Sequence, residues 1–217
     1  MKKRFALAAL VAAIPFAVPA QDLSYSYVEG GYDRTTLDED HGDETDVDGG
    51  YIRGSVAIGD SFHLFGRYAK LSGQETSASN SGGHIYDTDL DAGEIGLGYH
   101  YALGERVDLT AEVALLDLGI ETIRTTRPFF GDRDPYSVTE RDVSTNASRV
   151  AVGVRGSIAE AVEGWAKGGY VGGGDLDGGY TATLGVQYRF GRVWGVVGEV
   201  ELAEYWNQMR LGVRASF

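Results

Sequence analysis

Residues 205–217, YWNQMRLGVRASF, alternate without a break. Met209, Leu211, Val213, Ala215 and Phe217 are apolar, and Gln208, Arg210, Gly212, Arg214 and Ser216 are polar or small. Side chains of a strand point in turn to its two faces, so a period of two makes this a strand with one apolar and one wet face. A soluble sheet would give the same period. The opposite end of the chain narrows the choice.

Lys2, Lys3 and Arg4 precede an apolar run over residues 5–18, and Val18, Pro19 and Ala20 supply small residues at a cleavage point before Gln21. This pattern is that of a secretory signal peptide over residues 1–20, with the mature domain expected over 21–217; its apolar part is too short to span a bilayer as a helix. No later stretch approaches the ~18 consecutive apolar residues of a spanning helix. An exported chain embedded in a membrane must then cross it as a closed barrel. An open sheet edge in lipid would leave amides and carbonyls unpaired at several kcal/mol each.

Ten segments repeat the alternation, each near the ~9–11 residues that a tilted transmembrane strand needs. They are 23–34, 50–59, 61–70, 91–101, 107–116, 146–156, 162–171, 180–191, 193–202 and 205–217. The connections alternate as well. Those after the second, fourth, sixth and eighth segments are short, whereas 35–49, 71–90, 117–145 and 172–179 are longer and polar; the fifth outer connection, near Ala203 and Glu204, is tight and breaks the trend. Short turns on one side and long loops on the other are the asymmetry of outer-membrane barrels, with the short turns in the periplasm. The expected fold is all-β, a closed antiparallel up-and-down transmembrane barrel of ten strands, with eight as the alternative.

Assigning the apolar parity outward predicts two aromatic belts. Phe62, Tyr99, Tyr101, Tyr188, Phe190, Trp194 and Phe217 fall near the periplasmic rim, and Tyr32, Tyr68, Tyr170, Tyr180 and Tyr205 near the outer one. Rings with a polar tip favour the two membrane–water interfaces. The inward parity carries eight bases, Arg53, Arg67, Arg149, Arg155, Lys167, Arg189, Arg210 and Arg214. Against them stand seven acids, Glu29, Glu94, Asp108, Glu112, Glu163, Glu199 and Glu201. Unpaired charges inside a low-dielectric shell are costly, so this near balance predicts a network of ion pairs filling a polar lumen. Wide aqueous channels belong to barrels of ~16 strands or more, so a broad diffusion path is not expected.

The chain has no Cys, and a barrel's continuous ladder replaces the disulfides that small exported domains often use. Its net charge of −13 argues against nucleic acid or anionic surfaces as partners. Much of that acidity lies in the first outer connection, which carries Asp38, Glu39, Asp40, Asp43, Glu44, Asp46 and Asp48 and no base. Clustered carboxylates can bind divalent cations, but the spacing lacks the register of a calcium-binding EF-hand, and a solvated acidic loop is expected. His41 and His84 sit in outer connections beside acids, the arrangement an outer-rim hydrolase would need, but without a nucleophile motif. His63 and His100 face the lumen as hydrogen-bonding groups. Gly172, Gly173, Gly174 and Asp175 precede a strand rather than a helix, so they form a turn, not a phosphate cradle. Arg124, Arg127, Arg133 and Arg141 in the longest connection would attract anionic sugars or lipopolysaccharide phosphates, were Asp132, Asp134, Glu140 and Asp142 not interleaved with them. No catalytic, cofactor-binding or metal-binding set is assigned.

LSYSYVEGGY at 23–32, FHLFGRY at 62–68, GLGYHY at 96–101, VGVRGSIAEAVEGWAKGGY at 152–170 and the terminal RLGVRASF resemble the small outer-membrane β-barrel proteins of bacteria. The resemblance is nearest to a subgroup sometimes described as quorum-sensing or immunity-eliciting outer-membrane proteins. It implies a bacterial outer-membrane location among lipid and lipopolysaccharide, and a terminal Phe217 read by the barrel-assembly machinery. It carries over no catalytic residues. The expected role is non-enzymatic, in envelope structure, adhesion or host or cell–cell contact, with no extracellular partner named. A narrow, porin-like ion or solute channel is the alternative and an outer-rim hydrolase the third.

Overall fold

The computed structural model describes residues 23–38, 44–79, 82–128, 137–174, 176–204 and 206–217. The export signal read over residues 1–20, His41 and Tyr205 lie outside these. Ten strands follow one another: β1 Tyr27–Asp38, β2 Glu44–Ile58, β3 Phe62–Ser79, β4 Gly82–Ala102, β5 Val107–Pro128, β6 Ser137–Ala159, β7 Val162–Gly173, β8 Leu176–Arg189, β9 Trp194–Ala203 and β10 Trp206–Ser216. Each pairs antiparallel with its neighbours, and β10 returns to β1 to close the barrel. Closure runs from Tyr27 opposite Ser216 to Leu37 opposite Trp206. Beyond it the Phe217 amide donates to the Ser26 carbonyl at 3.0 Å, and the Ser24 hydroxyl to the Phe217 carbonyl at 2.9 Å. The ladder thus has no open edge at membrane depth, as a spanning sheet requires.

The outer wall is apolar where it should meet lipid. Ile52, Leu64, Leu97, Leu109, Val113, Val152, Leu184, Val196 and Leu211 are all exposed. Exposed rings flank them: Phe62 stands 5.2 Å from Tyr99 at the periplasmic side, and Tyr170 meets Tyr180 edge-on at 5.5 Å on the other. The outward residues of β5 run Val107, Leu109, Ala111, Val113, Leu115 and then Asp117 and Glu121; those of β4 change at the same height, from Ile95 to Asp91, Asp89 and Asp87. That switch marks the upper limit of the hydrocarbon.

Above it the wall differs from the loops expected from sequence. The connections read at 35–49, 71–90 and 117–145 are mostly continued strand, and Asp46, Asp48 and His84 stand in ladders rather than in loops. The hydrophobic signal stops at the membrane edge, but backbone pairing does not: β4 and β5 stay in register from Ala102 opposite Asp108 up to Gly82 opposite Pro128. The wall is therefore lopsided. β5 has 22 residues, ~73 Å at ~3.3 Å per residue, and rises about 55 Å at a tilt of ~40°. β9 has 10 residues and rises only ~25 Å, the height of the apolar band itself. Strands β3–β6 thus project well beyond the short wall formed by β7–β10.

A ladder closed on itself resists detergent at room temperature. Unboiled protein is expected to migrate faster on a denaturing gel than the boiled chain; identical mobilities would count against closure.

Candidate functional site

The lumen is built by the inward parity of all ten strands, and ten of its charged residues form one connected chain. Arg214 meets Glu29 at 2.6 Å, Glu29 meets Arg53 at 2.6 Å, and Arg53 crosses to Glu199 at 3.0 Å. Glu199 and Glu201 each hold Arg210 at 3.0 Å, and Glu201 meets Arg149 at 3.3 Å. Arg149 pairs with Glu94, Glu94 with Arg67 at 3.5 Å, and Arg67 with Asp33 at 3.5 Å. Five arginines and five carboxylates alternate along this path, so every internal charge lies between two of opposite sign. Because Arg53 is on β2, Glu199 and Glu201 on β9 and Arg149 on β6, the chain ties walls that share no ladder.

Neutral groups complete it. Tyr51 donates its hydroxyl to Glu29 at 2.6 Å, and the Trp165 and Trp206 indoles donate to Glu199 and Glu201 at 2.7 and 3.2 Å. Gln208 donates to Asp33 at 2.8 Å. Buried carboxylates so paired and hydrogen-bonded avoid the several kcal/mol that each unpaired ion would cost. Toward the periplasm, Lys167 meets Glu112 at 2.6 Å, and Glu163 takes Arg155 at 2.7 Å and Arg189 at 3.5 Å. The rings need room on neighbouring strands. A Cβ at Gly185 would collide with the Trp165 indole, and one at Gly98 with the His63 imidazole, which is one use of the chain's many glycines.

Three features of the lumen were not read from sequence. Asp33, fully buried, ends the chain beside Arg67 and is its fifth carboxylate; its parity matches Glu29, so the signal was present. Tyr25 precedes β1 and is buried at the periplasmic mouth. It stacks on His100 with ring centroids 3.8 Å apart, lies beneath the Arg155 guanidinium at 4.8 Å, and donates its hydroxyl to Asp108 at 2.9 Å. The third is a correction: the lumen is not polar throughout. Its outer part is mixed, with Val47, Tyr51, Ala69, Leu71, Leu90 and Ala92 in one buried cluster and Ala114, Leu116, Ala147 and Val171 in another, against which Leu176 and Trp206 pack, beside the buried Thr35, Thr45, Thr88 and Gln208. These residues keep the inward parity of their strands but lay in segments read as loops or at their margins.

Of the histidines, His84 has Thr126 Oγ1 at 3.1 Å and Arg124 at 3.2 Å from its Nδ1. Neither is the carboxylate that orients a hydrolase imidazole. On the β1–β2 ladder, Thr36 and Arg34 both donate to Asp46, at 2.6 and 2.7 Å, and these bonds hold its carboxyl below the usual carboxylate range.

The projecting wall is the second candidate site, and its two faces differ in charge. On the outward face Asp89, Glu121 and Asp142 are direct cross-strand neighbours, with Asp87 and Glu140 on either side of Ile123 in the next row. On the other face Arg141 follows Thr122, and Arg124 stands between Tyr86 and Thr139 with its guanidinium 5.6 Å from the Tyr86 ring.

No protein-family model matches the sequence, and no curated protein matches it. Solved structures do. The translocator domain of the autotransporter NalP from Neisseria meningitidis aligns with a TM-score of 0.57 at 12% identity over 88% of each chain. Ail, the attachment invasion locus protein of Yersinia pestis, aligns at 0.46 and 13% identity over 89% of this chain and 99% of its own. The transport unit of the autotransporter AIDA-I from Escherichia coli aligns at 0.44 and 10% over 95% and 94%. At such identities the NalP likeness speaks for architecture alone, and it is the architecture the ladder, the apolar band and the aromatic belts already describe. By fold, the chain is a closed antiparallel β-barrel of ten strands, similar in architecture to the NalP translocator domain.

Proposed function

We propose that this protein is a non-enzymatic surface component of the outer membrane whose β3–β6 wall makes contacts outside the cell, in adhesion or in host or cell–cell contact. The observation that carries the reading is the lopsided projection: four strands continue past the apolar band while the other wall stops at it. Longer connections lie on the extracellular side of such barrels, which directs the projection away from the cell. The lumen supports the same reading, because ion-paired side chains fill its middle and buried apolar clusters lie above them. Outer-membrane lipid surrounds the aromatic belts, lipopolysaccharide surrounds the outer one, and the strand ending in Phe217 is the segment offered to the barrel-assembly machinery.

The test shortens the projection along its own ladder. Thr76 lies opposite Ile85 and Ile123 opposite Glu140, so removing residues 76–85 and 123–140 leaves each hairpin able to close in register. The shortened protein should keep its heat-dependent gel shift, while attachment of expressing cells to one another or to a host-cell monolayer falls at least tenfold. Unchanged attachment would overturn the reading. In planar bilayers the full chain should show no steady unitary openings; regular openings would favour the channel instead.

A further inference from the structure

β6 pairs with β5 up to Ser137 opposite Thr126, but with β7 only from Ser148 opposite Gly172 downward. Among the described residues, 137–144 therefore have a ladder on one side only, and their side chains are exposed along nearly their whole length. A strand edge with unpaired amides and carbonyls is a template for another extended chain. The slot beside it is the upward continuation of β7, above the turn at Gly173 and Gly174.

Face chemistry then says what fits. A strand laid in this slot would place alternate side chains beside Glu140 and Asp142, in rows already holding Asp87, Asp89 and Glu121. Its other side chains would fall beside Arg141 and Val143, in rows holding Thr122 and Ile120. Like charges directly opposite one another oppose pairing, and opposite charges favour it. The geometry points to residues 137–144 as a strand-addition site for an extended segment of another protein, with lysine or arginine at every second position and apolar or acidic residues between. This rests on the reading of the projection as a contact surface, and it names where and what it contacts.

A second copy of this chain does not satisfy the slot. From the same membrane, its β6 would have to continue downward through the space that β7 occupies. From an opposing membrane, antiparallel pairing of two β6 edges keeps each face on its own side, setting Glu140 and Asp142 against their equivalents.

The probe is a capped seven-residue peptide with lysine at odd positions and valine or glutamate at even ones, carrying a fluorophore, titrated by anisotropy against the full-length barrel in detergent. Two derivatives are N-methylated at alternate amides, one in each register. Only alternate amides of a strand face its neighbour, so affinity should fall at least tenfold for one derivative and less than threefold for the other. A peptide of the same composition with its lysines grouped together should bind at least tenfold more weakly. The Glu140→Lys, Asp142→Lys protein, still showing its gel shift, should lose at least tenfold for the alternating peptide. Absence of binding, equal behaviour of the two N-methylated registers, equal binding of the grouped peptide, or unchanged binding to the charge-reversed protein would each overturn the proposal. If any of these occurs while hairpin shortening still abolishes attachment, the projection remains a contact surface and only the strand-addition site is lost.

Discussion

Replacing Glu201 with glutamine should cost the folded barrel about 3–5 kcal/mol, because Arg149 and Arg210 would both lose a carboxylate inside the wall. The double variant Glu201→Gln, Arg210→Met should be more stable than the Glu201→Gln protein. The alternating order predicts this. Removing one adjacent pair leaves Arg214, Glu29, Arg53 and Glu199 as one balanced group, and Arg149, Glu94, Arg67 and Asp33 as another. Arg210→Met alone should cost a comparable amount, because Glu199 and Glu201 would both lose a partner, so the coupling should be about 3 kcal/mol or more, at the top of the range found for residues in direct contact. Urea titration of the wild type, the two single variants and the double variant, refolded into lipid vesicles and followed by tryptophan fluorescence, measures the losses and the coupling. Strictly additive losses would show that the ten charges are not the single network the distances describe.

The second large effect separates solvent from exposure. Leu184 and Val138 are comparably open at the surface, 59% and 65%. Leu184 lies within the apolar band of β8, and Val138 near the top of β6 above the acidic rows. Arginine at a lipid-facing position near the bilayer midplane costs about 2–4 kcal/mol. At a water-exposed position, substitutions usually stay within about 0.5 kcal/mol. Leu184→Arg should therefore destabilise the vesicle-embedded barrel severely, and Val138→Arg barely at all. Equal small effects would mean that water wets both faces, and the transmembrane assignment would fail.

The same contrast explains how far the sequence could be read. Within the membrane every strand obeys one binary rule, apolar to lipid and polar to lumen, and a period of two exposes it. Strand number, the outward faces of Val150, Leu184 and Leu211, and the inward faces of Arg53, Glu94 and Glu199 all follow from that rule. Above the membrane both faces meet water or a mixed interior, the contrast vanishes, and segments such as 71–90 look like loops although their backbones remain paired. Asp33 and Tyr25 were missed for a different reason: each keeps the parity of Glu29, but Gly30, Gly31 and Arg34 blur the apolar and polar alternation of β1.

Parity alone thus settled which way each side chain points, because a pleated strand leaves only two directions. It could not settle which charges meet, since Arg53 reaches Glu199 and Arg149 reaches Glu201 across the lumen. Those partnerships depend on the register of ten ladders and the closure of β1 on β10. Nor could it show that β6 outruns β7 and leaves an edge over residues 137–144. Strand ends are set by where the neighbouring backbone stops, and only the assembled wall fixes that.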